Sequence, residues 1–420
     1  MNEEVRITRL ANGLRVATDT VRMVETVTLG VWVEAGTRHE SADVNGISHL
    51  LEHMAFKGTA RRTARAIAEE IEAVGGQLNA HTARDHTAYY AKVLKEDAEL
   101  ALDIVADILQ HPALDPDELA REREVVVQEI GQAGDTPDDI IFDHFQATAY
   151  PDQAVGRPVL GSADRVRGFS RGVLRHYMDE HYGAARMILS AAGNIGHDEF
   201  VAMAERHFDA LPAGRGVAVE PARYVGGDFR EVRDLEQVHL LFGFESVPYR
   251  DPDYYAVSVL STLLGGGMSS RLFQEVREAR GLAYAVYSFS ASLEDTGLFG
   301  IYAGAGESEV SELVPVVCDQ VMRAAENITA DELRRARAQL KAGILMALES
   351  TGARCEQLAR QLVVYGRPLS AAEVIAAVET VDEGAVARVA RRLFASPLTF
   401  AALGPLKRVE DYDRIEARLG

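Results

Sequence analysis

The chain has 420 residues, 47% of them hydrophobic and 26% charged, the content of an ordinary globular protein long enough for two domains of about 200 residues each. Its net charge of −20 would repel a phosphate backbone, which argues against nucleic acid as a partner, and would attract basic peptides instead. The polar, acidic opening Met1-Asn-Glu-Glu-Val-Arg6 and the lack of any run of about 18 apolar residues argue against a signal peptide or a membrane span, and the sparse pair Cys318 and Cys355 suits a reducing compartment, so a cytoplasmic protein is expected.

Residues 5–36 alternate apolar and polar side chains, with a break at Asn12-Gly13 that signals a hairpin, and they read as β-strands. A turn-rich, charged stretch from Gly36 to Gly46 leads into Gly46-Ile-Ser-His-Leu-Leu-Glu-His-Met-Ala-Phe-Lys57, which reads as helix. At ~100° per residue, His49 and His53 fall one turn apart on a shared face, with Glu52 beside His53. Two imidazoles so placed supply half of a tetrahedral zinc shell. A carboxylate too close in sequence to join them stays free to activate the zinc-held water. The order is H-x-x-E-H, the reverse of H-E-x-x-H.

A second helix is expected over about Thr63–Val74, stopped by Gly75-Gly76, and Gln77–Leu94 reads as two strands joined by a polar turn. A third helix, about Asp97–Gln110, ends before Pro112, and a fourth starts at Asp115-Pro116 and runs to about Gln132. On this last helix Glu122 and Glu129 lie about two turns apart on one face, and by spacing either could complete a metal site. Helices continue to about Glu180, and Arg186–Gly193 reads as a buried strand.

Glycines, prolines and small residues from Ala210 to about Asp228 mark a boundary, giving a catalytic domain over 1–212, a linker over 213–228 and a second domain over 229–420. The second half repeats the first. Ile47-Ser-His-Leu-Leu-Glu-His53 aligns with Leu260-Ser-Thr-Leu-Leu-Gly-Gly266, and Asp117-Glu-Leu-Ala-Arg-Glu-Arg123 with Asp331-Glu-Leu-Arg-Arg-Ala-Arg337, at nearly one offset. The expected fold is α+β: two homologous domains related by internal duplication, each a mainly antiparallel sheet packed with helices. Thr262, Gly265 and Gly266 stand where the first copy has His49, Glu52 and His53, and Ala336 and Gly343 replace Glu122 and Glu129. Any metal chemistry therefore belongs to the first domain.

On these motifs the sequence resembles the pitrilysin-type metallopeptidases, specifically their bacterial processing-peptidase-like branch, over essentially the whole chain. That resemblance implies one zinc per chain held by His49, His53 and Glu129, with Glu52 as general base and Glu122 as a carboxylate supporting the site. Gly75-Gly-Gln-Leu-Asn-Ala-His-Thr82 resembles the family's substrate-holding edge strand, where Asn79 and Ala80 would act through their backbone. Leu264–Tyr284 resembles the glycine-rich segment of its second domain, and Arg277 and Tyr284 match the residues that family members direct at the substrate carbonyl. The implied activity is zinc-dependent endopeptidase action on unfolded peptides or presequence-like segments. The implied assembly is a homodimer in which each second domain serves the other chain's zinc. The alternative is a subunit of a hetero-oligomeric peptidase, or a peptide-binding scaffold that needs a partner.

Overall fold

The N-terminal alternation folds into β1 (Glu4–Arg9), β2 (Arg15–Thr20) and β3 (Thr26–Val33), with β1 and β2 paired as a hairpin across Asn12-Gly13. They belong to a computed structural model that describes residues 4–214 and 217–420; Met1–Glu3, and Arg215 and Gly216 of the expected linker, lie outside the described residues. With β4 (Gln77–Thr82), β5 (Thr87–Leu94) and β6 (Met187–Gly193) they form a six-stranded sheet in the order β1-β2-β6-β3-β5-β4. Every pair is antiparallel except β2 with β6.

Both faces of this sheet are apolar, so β3 and β6 are almost wholly buried and both faces require a cover. Val31 and Val33 point into one core with α1 (Ile47–Ala55), α2 (Ala64–Ala73), α3 (Ala98–Gln110) and α4 (Pro116–Gly134). Trp32, between them, points the other way. It joins Ala17 and Ile188 against Cys355, Leu358 and Leu362 of the helix Thr351–Tyr365. Polar contacts pin that seam: Ser190 Oγ donates to the Cys355 carbonyl at 2.9 Å, Thr28 and Thr351 hydroxyls meet at 2.9 Å, and Arg354 reaches Asp19 Oδ2 at 2.7 Å.

The second sheet comprises β7 (Gly227–Val232), β8 (Val238–Ser246), β9 (Ala285–Ser292), β10 (Gly297–Ala305) and β11 (Thr399–Gly404), ordered β7-β11-β8-β10-β9. The order matches β2-β6-β3-β5-β4, and again a single pair, β7 with β11, is parallel. Two α+β domains built by duplication account for this equivalence. One face of the sheet carries Leu240, Phe242 and Ile301 into a large core, and the other carries Leu241, Leu298 and Leu403 against Ile141 and Phe145 of the helix Pro137–Ala149. Phe145 lies so close to β8 that a Cβ at Gly243 would come within 2.2 Å of its ring.

The compact units therefore follow packing rather than chain order. One comprises Met1–Gln132, Arg157–Glu220 and Met346–Pro368; the other comprises Ala133–Gly156, Pro221–Leu345 and Leu369–Gly420. They differ from the contiguous halves 1–212 and 229–420 in two segments, because the helix that covers the outer face of each sheet comes from the opposite half of the sequence. Among the described residues, no helix is long and apolar enough to cross a membrane.

Candidate metal centre

Helix α1 opens at Gly46, whose φ of 97° lies in the left-handed region, and a Cβ there would come within 2.7 Å of the Leu160 carbonyl oxygen. Ile47, Leu50, Leu51 and Met54 bury one stripe of α1 in the core, which turns His49, Glu52 and His53 to its other side. Helix α4 starts at Pro116, with Asp115 Oδ1 accepting the Asp117 and Glu118 N–H groups at 2.9 and 3.1 Å. Leu119 and Val126 anchor it in the same core, and that orientation directs Glu122 and Glu129 toward α1.

The donor atoms of His49, His53 and Glu129 all lie within 4.8 Å of one another. Glu129 Oε2 is 3.7 Å from His49 Nε2 and 3.4 Å from His53 Nε2. Tetrahedral ligands about 2.1 Å from a zinc ion sit roughly 3.4 Å apart, so this donor set fits zinc in both spacing and chemistry. Burial, reinforced by the neighbouring His53, lowers the His49 pKa to about 4 and keeps its ring neutral, as a ligand must be.

The structure separates the two carboxylates that helical spacing leaves equivalent. Glu122 is 5% exposed and already engaged: Oε2 lies 3.1 Å from His53 Nδ1, and Oε1 lies 2.7 Å from Lys57 Nζ. An Nδ1–H donated to Glu122 would leave the Nε2 of His53, which faces Glu129, as the atom available to a metal. Lys57 follows His53 by four residues and lies just past the end of α1, and nothing in its own spacing marks it as part of the site.

Glu52 points at β4, where the Thr82 hydroxyl donates to its Oε2 at 2.6 Å. Burial raises the Glu52 pKa, and the Thr82 hydrogen bond acts in the opposite direction. Thr82 falls within the stretch expected to hold substrate, but only the folded chain brings it to the carboxylate. Asn79 and Ala80 sit on the same strand, at the edge of the sheet, opposite Tyr90 and Tyr89 of β5. Asn79 Oδ1 accepts the Ala80 N–H at 2.9 Å.

Arg277 and Tyr284 lie in the other compact unit. The Arg277 guanidinium rests 4.8 Å from the Phe273 ring centre and 4.9 Å from that of Tyr284, whose side chain is exposed.

Residues 15–163 match the family model described as "Insulinase (Peptidase family M16)", and residues 168–340 match "Peptidase M16 inactive domain". A Rickettsia felis protein named "Uncharacterized zinc protease" is 38% identical over 406 residues, spanning 96% of this chain and 98% of the relative. A Mycobacterium tuberculosis protein of similar name is 41% identical over 409 residues, spanning 95% and 93%. The "Probable mitochondrial-processing peptidase subunit beta" of Arabidopsis thaliana is 38% identical over 431 residues, spanning 99% and 81%. The crystal structure of a protease from Helicobacter pylori superposes with a TM-score of 0.88 over 96% of this chain and 100% of its own, and at 23% identity it shows the shared fold.

Proposed function

Because the chain belongs to the insulinase (M16) peptidase family, we propose that it is a zinc-dependent endopeptidase that cuts unfolded peptides or presequence-like segments. The observation that carries this reading is the convergence of His49, His53 and Glu129 beside a carboxylate, Glu52, that Thr82 holds in place. A zinc ion bound by those three residues would supply Lewis acidity, lowering the pKa of water to about 7 and polarising the scissile carbonyl.

Glu52 is the general base: it takes a proton from the attacking water and returns it to the leaving amine. Its burial favours the protonated form and so helps it hold that proton between the two steps. Substrate adds to the open edge of β4 as an extended strand, held by backbone hydrogen bonds near Asn79 and Ala80. That mode of binding demands an unfolded segment and tolerates varied side chains. Tyr284 and Arg277 stabilise the oxyanion that forms at the carbonyl. Their delivery from a second copy of the chain makes the active form a homodimer.

The test pairs elemental analysis with cleavage of an unstructured, quenched fluorescent peptide by wild type and Glu52→Gln. About one zinc per chain in both proteins is expected, with cleavage reduced at least ~100-fold in the variant. Wild type that neither binds zinc nor cleaves after zinc is supplied would shift the reading to the partner-dependent subunit, an alternative suggested by the "subunit beta" in the Arabidopsis relative's name.

A further inference from the structure

The first turn of α1 lacks an ordinary cap. Gly46 stands at the N-cap position and has no side chain to accept the leading N–H groups, which must find an acceptor elsewhere because the turn is buried. They find it in Glu40, which comes from the preceding turn-rich segment and is 2% exposed. Its Oε2 accepts the Gly46 N–H at 2.8 Å and an Asn45 Nδ2–H at 3.0 Å, and its Oε1 accepts the Ser48 N–H at 2.9 Å. A carboxylate in this position also meets the positive end of the helix dipole.

The surroundings fix Glu40 in turn. The Arg157 guanidinium donates to the Glu40 main-chain oxygen at 2.5 Å, and Asn45 Nδ2 also reaches the Pro158 oxygen at 3.1 Å. Ser48 Oγ meets the hydroxyl of buried Tyr177 at 2.8 Å. Ser48 directly precedes His49, and α1 is only nine residues long, so the helix has little length over which to absorb a shift at its start. A slide of about 1 Å at that end would spoil the approach of His49 to Glu129.

From this we infer that Glu40 is a positioning residue for the metal centre, holding the N-terminal turn of α1 and thereby setting where the His49 imidazole lies. The inference rests on the proposed zinc site and adds to it a group that touches neither metal nor substrate.

Glu40→Gln is the informative change, because it preserves size while turning one acceptor oxygen into an NH2 group that faces backbone or Asn45 donors. Zinc affinity, measured by competition with a chromophoric chelator, should fall roughly 10- to 100-fold. With zinc in excess, kcat should drop while KM holds, since the Glu40 side chain hydrogen-bonds to Asn45, Gly46 and Ser48 rather than to β4. Amide hydrogen exchange at Ser48 to Leu51 in the metal-free protein should accelerate at least tenfold. Glu40→Ala should exceed Glu40→Gln in each respect. A Glu40→Gln protein with wild-type zinc affinity and wild-type exchange, whatever its urea midpoint, overturns the inference. If wild type itself bound no zinc, the peptidase reading would fall, while the exchange comparison on metal-free samples would still decide the role of Glu40.

Discussion

Glu122 and Glu129 are identical side chains on one face of α4, and their neighbours give them different work. His53 Nδ1 and Lys57 occupy the oxygens of Glu122, whereas Glu129 faces the two Nε2 atoms. The H-x-x-E-H residues were legible in the sequence because they lie within about one turn of a single helix, where spacing dictates geometry. Thr82 and Glu40 were not, since a strand and a turn contribute them and no periodicity connects either to α1. The histidines away from the centre carry a different signal. Burial first, and then nearby positive charge including Arg186, lowers His39 to about 3 and His181 to about 4; burial also lowers His86 to about 4, and His49 joins them when no metal is bound. The unfolded chain takes up these protons near pH 6.5, and the folded chain resists them until about pH 4, so the unfolded state binds more protons across that window. The histidine contribution to the stability of the metal-free protein should fall as pH drops from about 6.5 to 4, by up to about 1.4 kcal/mol per pH unit for each histidine, opposed in part by Glu40 and Glu52, whose burial raises their pKa values so that the folded chain takes up their protons first. Urea midpoints measured across that range check this; a midpoint that stayed constant down to pH 4.5 would contradict it.

Period-two alternation marked the strands and 3.6-residue periodicity the helices of the first sheet's inner layer, so β1 to β6 and α1 to α4 could be read from sequence to within a few residues. The helix Thr351–Tyr365 shows where such reading stops. Its apolar stripe announces burial but cannot say that the surface it covers was laid down by strands from the other half of the chain. What holds it there includes the Arg354–Asp19 pair, whose side chains are 4% and 8% exposed. Arg354→Met would leave the Asp19 carboxylate buried without its cation, at a cost of about 3–5 kcal/mol. Urea unfolding should show that loss, and Asp19→Ala combined with Arg354→Met should recover part of it. A double variant no more stable than Arg354→Met alone would show that the pair's charge balance is not what matters at this seam.

The duplication was visible in sequence as helix motifs recurring at one spacing, while the shared strand order and the one parallel pair in each sheet emerge only from folding. Strands pair across long sequence separations, and no local pattern specifies which neighbour each will take. With every metal-centre residue lost from the second copy, the described residues hold one candidate zinc site and, in the other unit, Arg277 and Tyr284. A homodimer that shares these parts makes a specific prediction. Chains carrying Glu52→Gln and chains carrying Tyr284→Phe, each inactive alone, should regain activity when mixed, approaching about a quarter of wild type if subunits exchange freely and one restored site per mixed dimer suffices. No recovery in a mixture shown to have exchanged subunits would refute the shared-site arrangement. The exchange of covering helices also bears on how the chain is made. A ribosome adding about 5–20 residues per second finishes β6 some ~10–30 s before Tyr365 emerges. For that interval Trp32, Ile188 and their neighbours have an apolar face whose covering helix has not yet been synthesised, so the outer surface of the first sheet closes only late in translation.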